Sequence, residues 1–212
     1  MKLHAYFRSS TSYRLRIALN LKGFDYDIAP VNLVKAEQRS EGFRARNPFA
    51  GVPMLEADGR ERAQSMAILE WLDEAYPDRP LLPRDVEDRF TARELAYAIA
   101  TELHAVNNLP VLQYLKTELG HEQDEIDTWY RHWLQKTLVA IEARLAQIGT
   151  NHFLFDAPGL FEVVLIPQVY NARRFAFDFA PMPHIERIER ACLALPAFQR
   201  AHPDNQPDTP RT

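Results

Sequence analysis

The chain has 212 residues, 46% hydrophobic and 25% charged, enough apolar material to bury a core and too much for disorder throughout. Lys plus Arg number 25 against 29 Asp plus Glu, a formal net charge of −4, so the broad positive field of nonspecific nucleic-acid binders is missing. No apolar run approaches the roughly 20 residues that span a bilayer, and Cys192, the one cysteine, excludes a disulfide framework and a Cys-based zinc site and suits a reducing cytoplasm.

The opening residues alternate: Leu3, Ala5 and Phe7 against Lys2, His4 and Tyr6. That predicts a strand rather than a signal peptide. Ser10 or Ser12 is placed to cap a helix with an apolar face of Tyr13, Ile17, Ala18 and Leu21, and Gly23 supplies its stop. A second strand is predicted over 24–31, completing a βαβ unit. A short helix over 41–46 ends at Asn47-Pro48. Residues 53–63 read as a hairpin, because Asp58-Gly59 suits a tight primed turn. A helix from Ser65 then runs toward Pro77. The prolines of 76–83 form an extended connector, and beyond them the pattern is helical: 85 to about 119, interrupted at Asn107-Asn108-Leu109-Pro110; 123–148, with Ile126, Trp129, Tyr130, Trp133 and Leu134 as its buried stripe; 160 to about 175; and 183–195. The tail from Ala201 to Pro210 is too proline-rich for regular structure.

A βαβαββα domain followed by a helical domain resembles the cytosolic glutathione transferases, and the motifs narrow the resemblance to their zeta class. The segment Phe7-Arg8-Ser9-Ser10-Thr11-Ser12-Tyr13-Arg14-Leu15-Arg16-Ile17-Ala18-Leu19 is similar to the zeta signature. Asn47-Pro48, Val52-Pro53 and Gln64-Ser65-Met66-Ala67-Ile68 are similar to glutathione-site motifs of the wider family. Asn107-Asn108-Leu109, Gln168-Val169-Tyr170-Asn171-Ala172-Arg173-Arg174-Phe175 and the tail Gln206-Pro207-Asp208-Thr209-Pro210 are also zeta-like. The resemblance implies an α/β thioredoxin-like βαβαββα domain over 1–80 and an all-helical, substrate-binding domain over 84–212. It implies glutathione as cofactor, a small dianionic maleyl substrate, cis–trans isomerisation in aromatic catabolism, and a homodimer, with no nucleic acid, membrane or metal as partner.

It also implies a site. Ser9, Ser10 and Thr11 lie where a strand meets a helix, and helix-start N–H groups with the positive end of the dipole favour an anion there. An ordinary thiol has a pKa of about 8.5; lowering it by about two units takes roughly 2.7 kcal/mol of thiolate stabilisation. Plain N-capping is the alternative reading of these serines. The zeta signature carries Cys where this chain has Thr11, so the reacting sulfur must come from the tripeptide. By the same resemblance Val52, ahead of a cis Pro53, pairs with the cysteinyl backbone of glutathione. Gln64 and Ser65 hold its γ-glutamyl carboxylate, and Gln38, His104 and Asn108 line its site. Arg8 and Arg174 are the substrate candidates, since a dianion needs fixed cations; Arg173 points about 100° away from Arg174. His104 as an ordinary half-buried histidine stays open.

Two departures stand out. Pro110 removes a backbone donor beside Asn108, and Gly159 replaces the side-chain cap usual in the family, although Glu162 can still supply its half of a capping box. Two other functions remain beside isomerisation: conjugation or dehalogenation of small α-halo acids, and a noncatalytic binding module.

Overall fold

The computed structural model describes residues 1–210. Four short strands form one mixed sheet: β1 (Lys2–Ala5), β2 (Asp27–Pro30), β3 (Met54–Ala57) and β4 (Arg60–Ala63), in the order β2-β1-β3-β4. Strand β1 runs parallel to β2, with Leu3 opposite Ile28, and antiparallel to β3, with Leu3 opposite Leu55. The parallel pair needs a crossover, which is α1 (Ser10–Lys22). The hairpin β3–β4 turns at Asp58 (φ 52°) and Gly59 (φ 70°), the two positive dihedrals that a primed turn requires. Helices α2 (Glu41–Arg46) and α3 (Ser65–Ala75) complete the βαβαββα order expected from the sequence. The edge strand β4 carries Arg60, Glu61 and Arg62, charges that disfavour pairing with a further strand.

Helix α1 is buried almost all round. Residues 12–19 are all below the surface, including Arg14 and Arg16. The sequence pattern predicted one apolar face; the helix instead packs against both α3 and a later part of the chain. It is capped by Ser9, whose Oγ accepts the Ser12 N–H, rather than by Ser10 or Ser12. It stops at Gly23 in the left-handed region (φ 75°). Its last residue, the buried Lys22, places its ammonium against Asp73 Oδ1 (3.1 Å), Tyr76 O (3.0 Å) and Arg79 O (2.9 Å), fixing the proline-rich connector to the ends of α1 and α3.

Two compact units result. One comprises Met1–Leu81 together with the segment that begins at Leu193; the other is Leu82–Cys192. The sequence expectation gave everything from 84 to 212 to the helical domain. The described part of the C-terminal segment departs from this because α1 holds it: Arg16 Nε donates to Ala201 O (2.9 Å) and Asn20 Nδ2 to Ala197 O (2.8 Å). Residues 211 and 212 of that expected domain lie outside the described residues. The segment also forms regular structure despite its prolines, with α10 (Pro196–Ala201) packed on α1 and a 3₁₀ turn over Pro203–Asn205. Each starts with a proline in its first turn, where the missing N–H costs nothing.

The second unit contains α4 (Val86–Tyr97), a π-helical stretch (Ala98–Leu103), α5 (His104–Asn107), α6 (Leu109–Thr117), α7 (Gln123–Ile148), α8 (Leu160–Arg174) and α9 (Pro183–Leu193). Its core draws on Leu95, Ile99, Leu134, Leu138, Ile141 and nearly the whole of α8. On α7, Ile126, Tyr130 and Leu134 are buried as predicted, whereas Trp129 and Trp133 are half-exposed. Trp129 spends its indole N–H on Val106 O (3.0 Å). At the head of α8, Gly159 offers no side-chain oxygen, and the buried Glu162 carboxylate does the capping, accepting from Gly159 N–H (2.8 Å) and Leu154 N–H (2.6 Å). Burial raises the Glu162 carboxyl above its ordinary value. No helix among the described residues is long and apolar enough to cross a membrane.

Candidate active site

In the first unit the chain leaves β1 through a tight turn closed by the Ser9 N–H on Tyr6 O (3.0 Å) and enters α1 at once. The first-turn N–H groups of α1 therefore open toward Ser9, Ser10 and Thr11. The hydroxyls are ordered. Thr11 Oγ1 donates to Val52 O (2.9 Å), and Ser9 Oγ lies 2.9 Å from Thr11 Oγ1. A hydroxyl has one proton, and that of Thr11 is used on Val52, so Ser9 is the donor in the Ser9–Thr11 pair. Ser9 Oγ also accepts the Ser12 N–H at 3.2 Å. Ser9 and Thr11 are partly exposed, whereas Ser10 is buried in the first turn at 5% exposure, which makes Ser9 and Thr11 the accessible hydroxyls.

Val52–Pro53 is cis, and the Thr11 hydroxyl ties this peptide to the start of α1. Two of the expected glutathione-site elements, 41 positions apart, thus meet within one hydrogen bond. The third lies at the start of α3. Gln64 adopts φ 70°, ψ 106°, a strained conformation for a residue with a Cβ, and its side chain caps no N–H of the helix. Ser65 is buried, and its Oγ accepts from Arg14 Nη1 (3.2 Å).

Arg14 is the residue that sequence reasoning missed. It is 1% exposed, and among the described residues its Nε and Nη2 have no partner. Burial pulls its guanidinium down to about 10, still charged at neutral pH. A fixed positive charge with spare donors, set directly behind an uncapped helix start, matches an anionic carboxylate. No local signal marks it: Ser12, Arg16 and Asn20 recur at helical spacing and read as a polar stripe, so the pattern does not call for buried arginines on α1. Gln38 is also buried, on a 3₁₀ turn (Glu37–Arg39), with its Oε1 unpartnered among the described residues. Arg8 is exposed, its guanidinium 5.7 Å from the Phe7 ring centroid.

In the second unit, His104 opens α5 directly after the π-helical stretch. Asn108 does not continue that helix: at φ −74°, ψ 162° it is extended and caps α6 instead. Its Oδ1 accepts Val111 N–H (3.1 Å) and its Nδ2 donates to Ala105 O (3.0 Å). His104 and Asn108, four residues apart, therefore do not share a face of one continuous helix. Pro110, in the first turn of α6, is the cause: it cannot sit inside a continuous helix. Arg174 ends α8 and is exposed, and its charge acts on the buried Tyr130 phenol, which burial pushes up to about 12. Arg173 is otherwise engaged, its Nε donating to Glu189 Oε1 (2.9 Å). Burial, with the nearby Glu162 and Glu189 carboxylates, drives the Cys192 thiol far above its ordinary value, so the chain's own sulfur is inert.

Comparison with known proteins gives the family. Residues 1–74 match the glutathione S-transferase N-terminal domain. Maleylacetoacetate isomerase of Pseudomonas aeruginosa is 42% identical over 214 residues, covering 99% of this chain and 99% of that protein. A holo structure of maleylpyruvate isomerase, described as a bacterial zeta-class glutathione S-transferase, matches with a TM-score of 0.96 at 42% identity, over 99% of this chain and 100% of that one. Maleylacetoacetate isomerase of Methylobacterium extorquens AM1, solved with malonate and glutathione bound, matches with a TM-score of 0.95 at 34% identity, over 100% of both chains. On its sequence, its fold and the layout of its two helix starts, the chain belongs to the glutathione S-transferase family, in the zeta class of maleylacetoacetate and maleylpyruvate isomerases.

Proposed function

We propose that this protein is a glutathione-dependent cis–trans isomerase that converts maleylpyruvate or maleylacetoacetate to the fumaryl isomer. The observation that carries the reading is the Ser9 hydroxyl at the mouth of α1, with its oxygen on the Ser12 N–H and its proton on the neighbouring Thr11 hydroxyl. When bound, glutathione supplies a thiolate that adds reversibly to the activated cis double bond, so that the bond rotates and the sulfur leaves again.

The chain's own residues hold the negative charges. On cofactor binding the Ser9 proton turns from Thr11 to the sulfur, and accepting the Ser12 N–H makes Ser9 a better donor. One such hydrogen bond to an anion contributes about 1.5–3 kcal/mol, and a helix N-terminus adds about 0.3–1 kcal/mol. Together they reach the roughly 2.7 kcal/mol that a two-unit fall in thiol pKa takes. Ser10 and Thr11 hold the turn, and Thr11 ties it to the Val52 peptide, which with Pro53 reads the peptide backbone of the cofactor. Gln64 and Ser65, with Arg14 behind them, hold the γ-glutamyl carboxylate. Gln38 offers an unpartnered carbonyl oxygen to a peptide N–H. His104 and Asn108 complete the glutathione contacts, Asn108 through the N–H and lone pair left over from its two local bonds. Arg8 and Arg174 take the substrate carboxylates, for which a guanidinium is the strongest fixed partner.

A second copy of the chain covers the exposed Phe49 of the first unit and the exposed Phe90 and Tyr97 of α4, giving a homodimer in the cytoplasm. The test of the activity is maleylpyruvate turnover with substoichiometric glutathione. Many turnovers with glutathione recovered unchanged are expected. Consumption of one glutathione per product would replace isomerisation by conjugation, and absence of glutathione binding by calorimetry would leave only a binding module.

A further inference from the structure

The zeta-like tail Gln206-Pro207-Asp208-Thr209-Pro210 has no part in the function described so far, yet it is tightly built. Gln206 is buried, and its Nε2 donates to both Arg200 O (2.9 Å) and His202 O (2.8 Å). The Thr209 N–H returns to Gln206 O (3.2 Å), and the Thr209 hydroxyl is bonded to Pro203 O. Between these two anchors Asp208 reaches out of its own segment. Its Oδ2 accepts the Phe7 N–H at 2.9 Å, across 201 positions of sequence.

Phe7 lies just beyond the last residue of β1, so its peptide groups fall outside the sheet ladder and need other partners. The C-terminal segment and α1 supply both. Arg16 Nη2 donates to Phe7 O (2.9 Å), Arg16 Nη1 reaches Tyr6 O (3.5 Å), and Arg16 Nε holds Ala201 O (2.9 Å). Tyr6 O is also the acceptor that closes the turn onto the Ser9 N–H. The two peptides ahead of Ser9 are therefore gripped on one side by a buried guanidinium and on the other by the Asp208 carboxylate.

We propose that Asp208 is a positioning residue for the isomerase reaction, which holds the turn before Ser9 so that the Ser9 hydroxyl and the first N–H groups of α1 converge on the cofactor sulfur. The inference rests on the assignment of Ser9 as the sulfur's donor. Its physical basis is that an oxyanion-type donor is effective only when fixed in place, and small displacements of such groups cost large factors in rate. Asp208 itself touches neither cofactor nor substrate in this role.

The experiment compares wild type, Asp208→Ala and Asp208→Asn by the ultraviolet pH titration of the bound glutathione thiolate, alongside kcat and glutathione affinity for maleylpyruvate turnover. Asp208→Ala is expected to raise the bound thiol pKa toward the ordinary value of about 8.5 and to lower kcat by about 10- to 100-fold, with glutathione affinity changing far less. Asp208→Asn keeps an acceptor oxygen for the Phe7 N–H and is expected to recover most of both. If the alanine variant does not fold, Asp208→Glu, which keeps the charge but displaces the acceptor by a methylene, carries the same expected loss. An unchanged thiol pKa and kcat in the folded alanine or glutamate variant would overturn the proposal. So would a loss of activity that only follows the unfolded fraction measured by circular dichroism. Absence of any thiolate signal in the wild type would instead overturn the assignment of Ser9.

Discussion

The two helix starts of the first unit carry opposite constructions. At α1, Ser9 caps the helix, the backbone is unstrained (φ −69°, ψ 122°), and the nearby donors are neutral hydroxyls and amides. At α3, Gln64 caps nothing, its backbone is strained at φ 70°, and a buried arginine sits behind Ser65. The contrast follows from the ligands proposed for them. A γ-glutamyl carboxylate is already ionised at neutral pH and needs a permanent counter-charge. A thiol is mostly protonated there, so the site must favour one protonation state over the other by a few kcal/mol, which directed hydrogen bonds achieve. On the proposed function, the α1 start sets reactivity and the α3 start sets affinity.

Mutations that separate these two quantities sharpen the contrast. The largest effect is expected from Ser9→Ala: kcat falls by about 100-fold, or about 2.7 kcal/mol, while glutathione affinity measured at low pH, where the thiol is neutral, changes little. Steady-state kinetics and calorimetry on the same preparation check this, and an equal loss in both would erase the distinction. Next is Arg14→Met, for which glutathione affinity falls by about 30-fold, equivalent to about 2 kcal/mol for a lost charged hydrogen bond, with kcat at saturation near the wild-type value. Because the variant removes an isolated buried charge, its thermal midpoint is expected to stay level or rise. A fall in kcat at saturating glutathione would show that Arg14 acts on the sulfur instead.

The smallest effect is a control that involves neither helix start. His4, foremost, and Arg46 hold the Glu56 carboxylate down to about 2, from an ordinary 4.5. A carboxylate depressed on folding contributes stability that is complete above about pH 4.5 and is lost as the pH falls toward about 2. Glu56 is a third exposed, so the contribution is modest. In Glu56→Gln the unfolding free energy should lie below wild type at neutral pH and converge with it across that window, with kcat unchanged. A constant gap at every pH would mean that the side chain acts through packing.

Much of the fold was legible from local patterns. Alternation marked β1, Asp58-Gly59 marked the hairpin, and the proline-rich connector marked where the helical part begins. What local patterns missed depends on distant partners. Arg14 and Arg16 look like surface charges until α1 is seen buried, packed against α3 and α10. The C-terminal segment reads as an unstructured tail because its acceptors, Ala201 O and the Asp208 carboxylate, are satisfied by donors near the start of the chain. At Asn108 the break was readable from Pro110, but its consequence, an amide committed to capping α6, was not. Among the site residues, Ser9, Thr11 and Val52 are joined by hydrogen bonds that no motif announced, and Ser65 accepts one from an arginine no motif assigned.

The most direct test of the whole account is the pH titration of glutathione bound to the wild-type protein, followed by ultraviolet absorbance of its thiolate. A midpoint near 6.5, about two units below an ordinary thiol, is the expected result. A midpoint at or above about 8.5 would contradict it, because the turn at Ser9 would then bind the cofactor without ionising it.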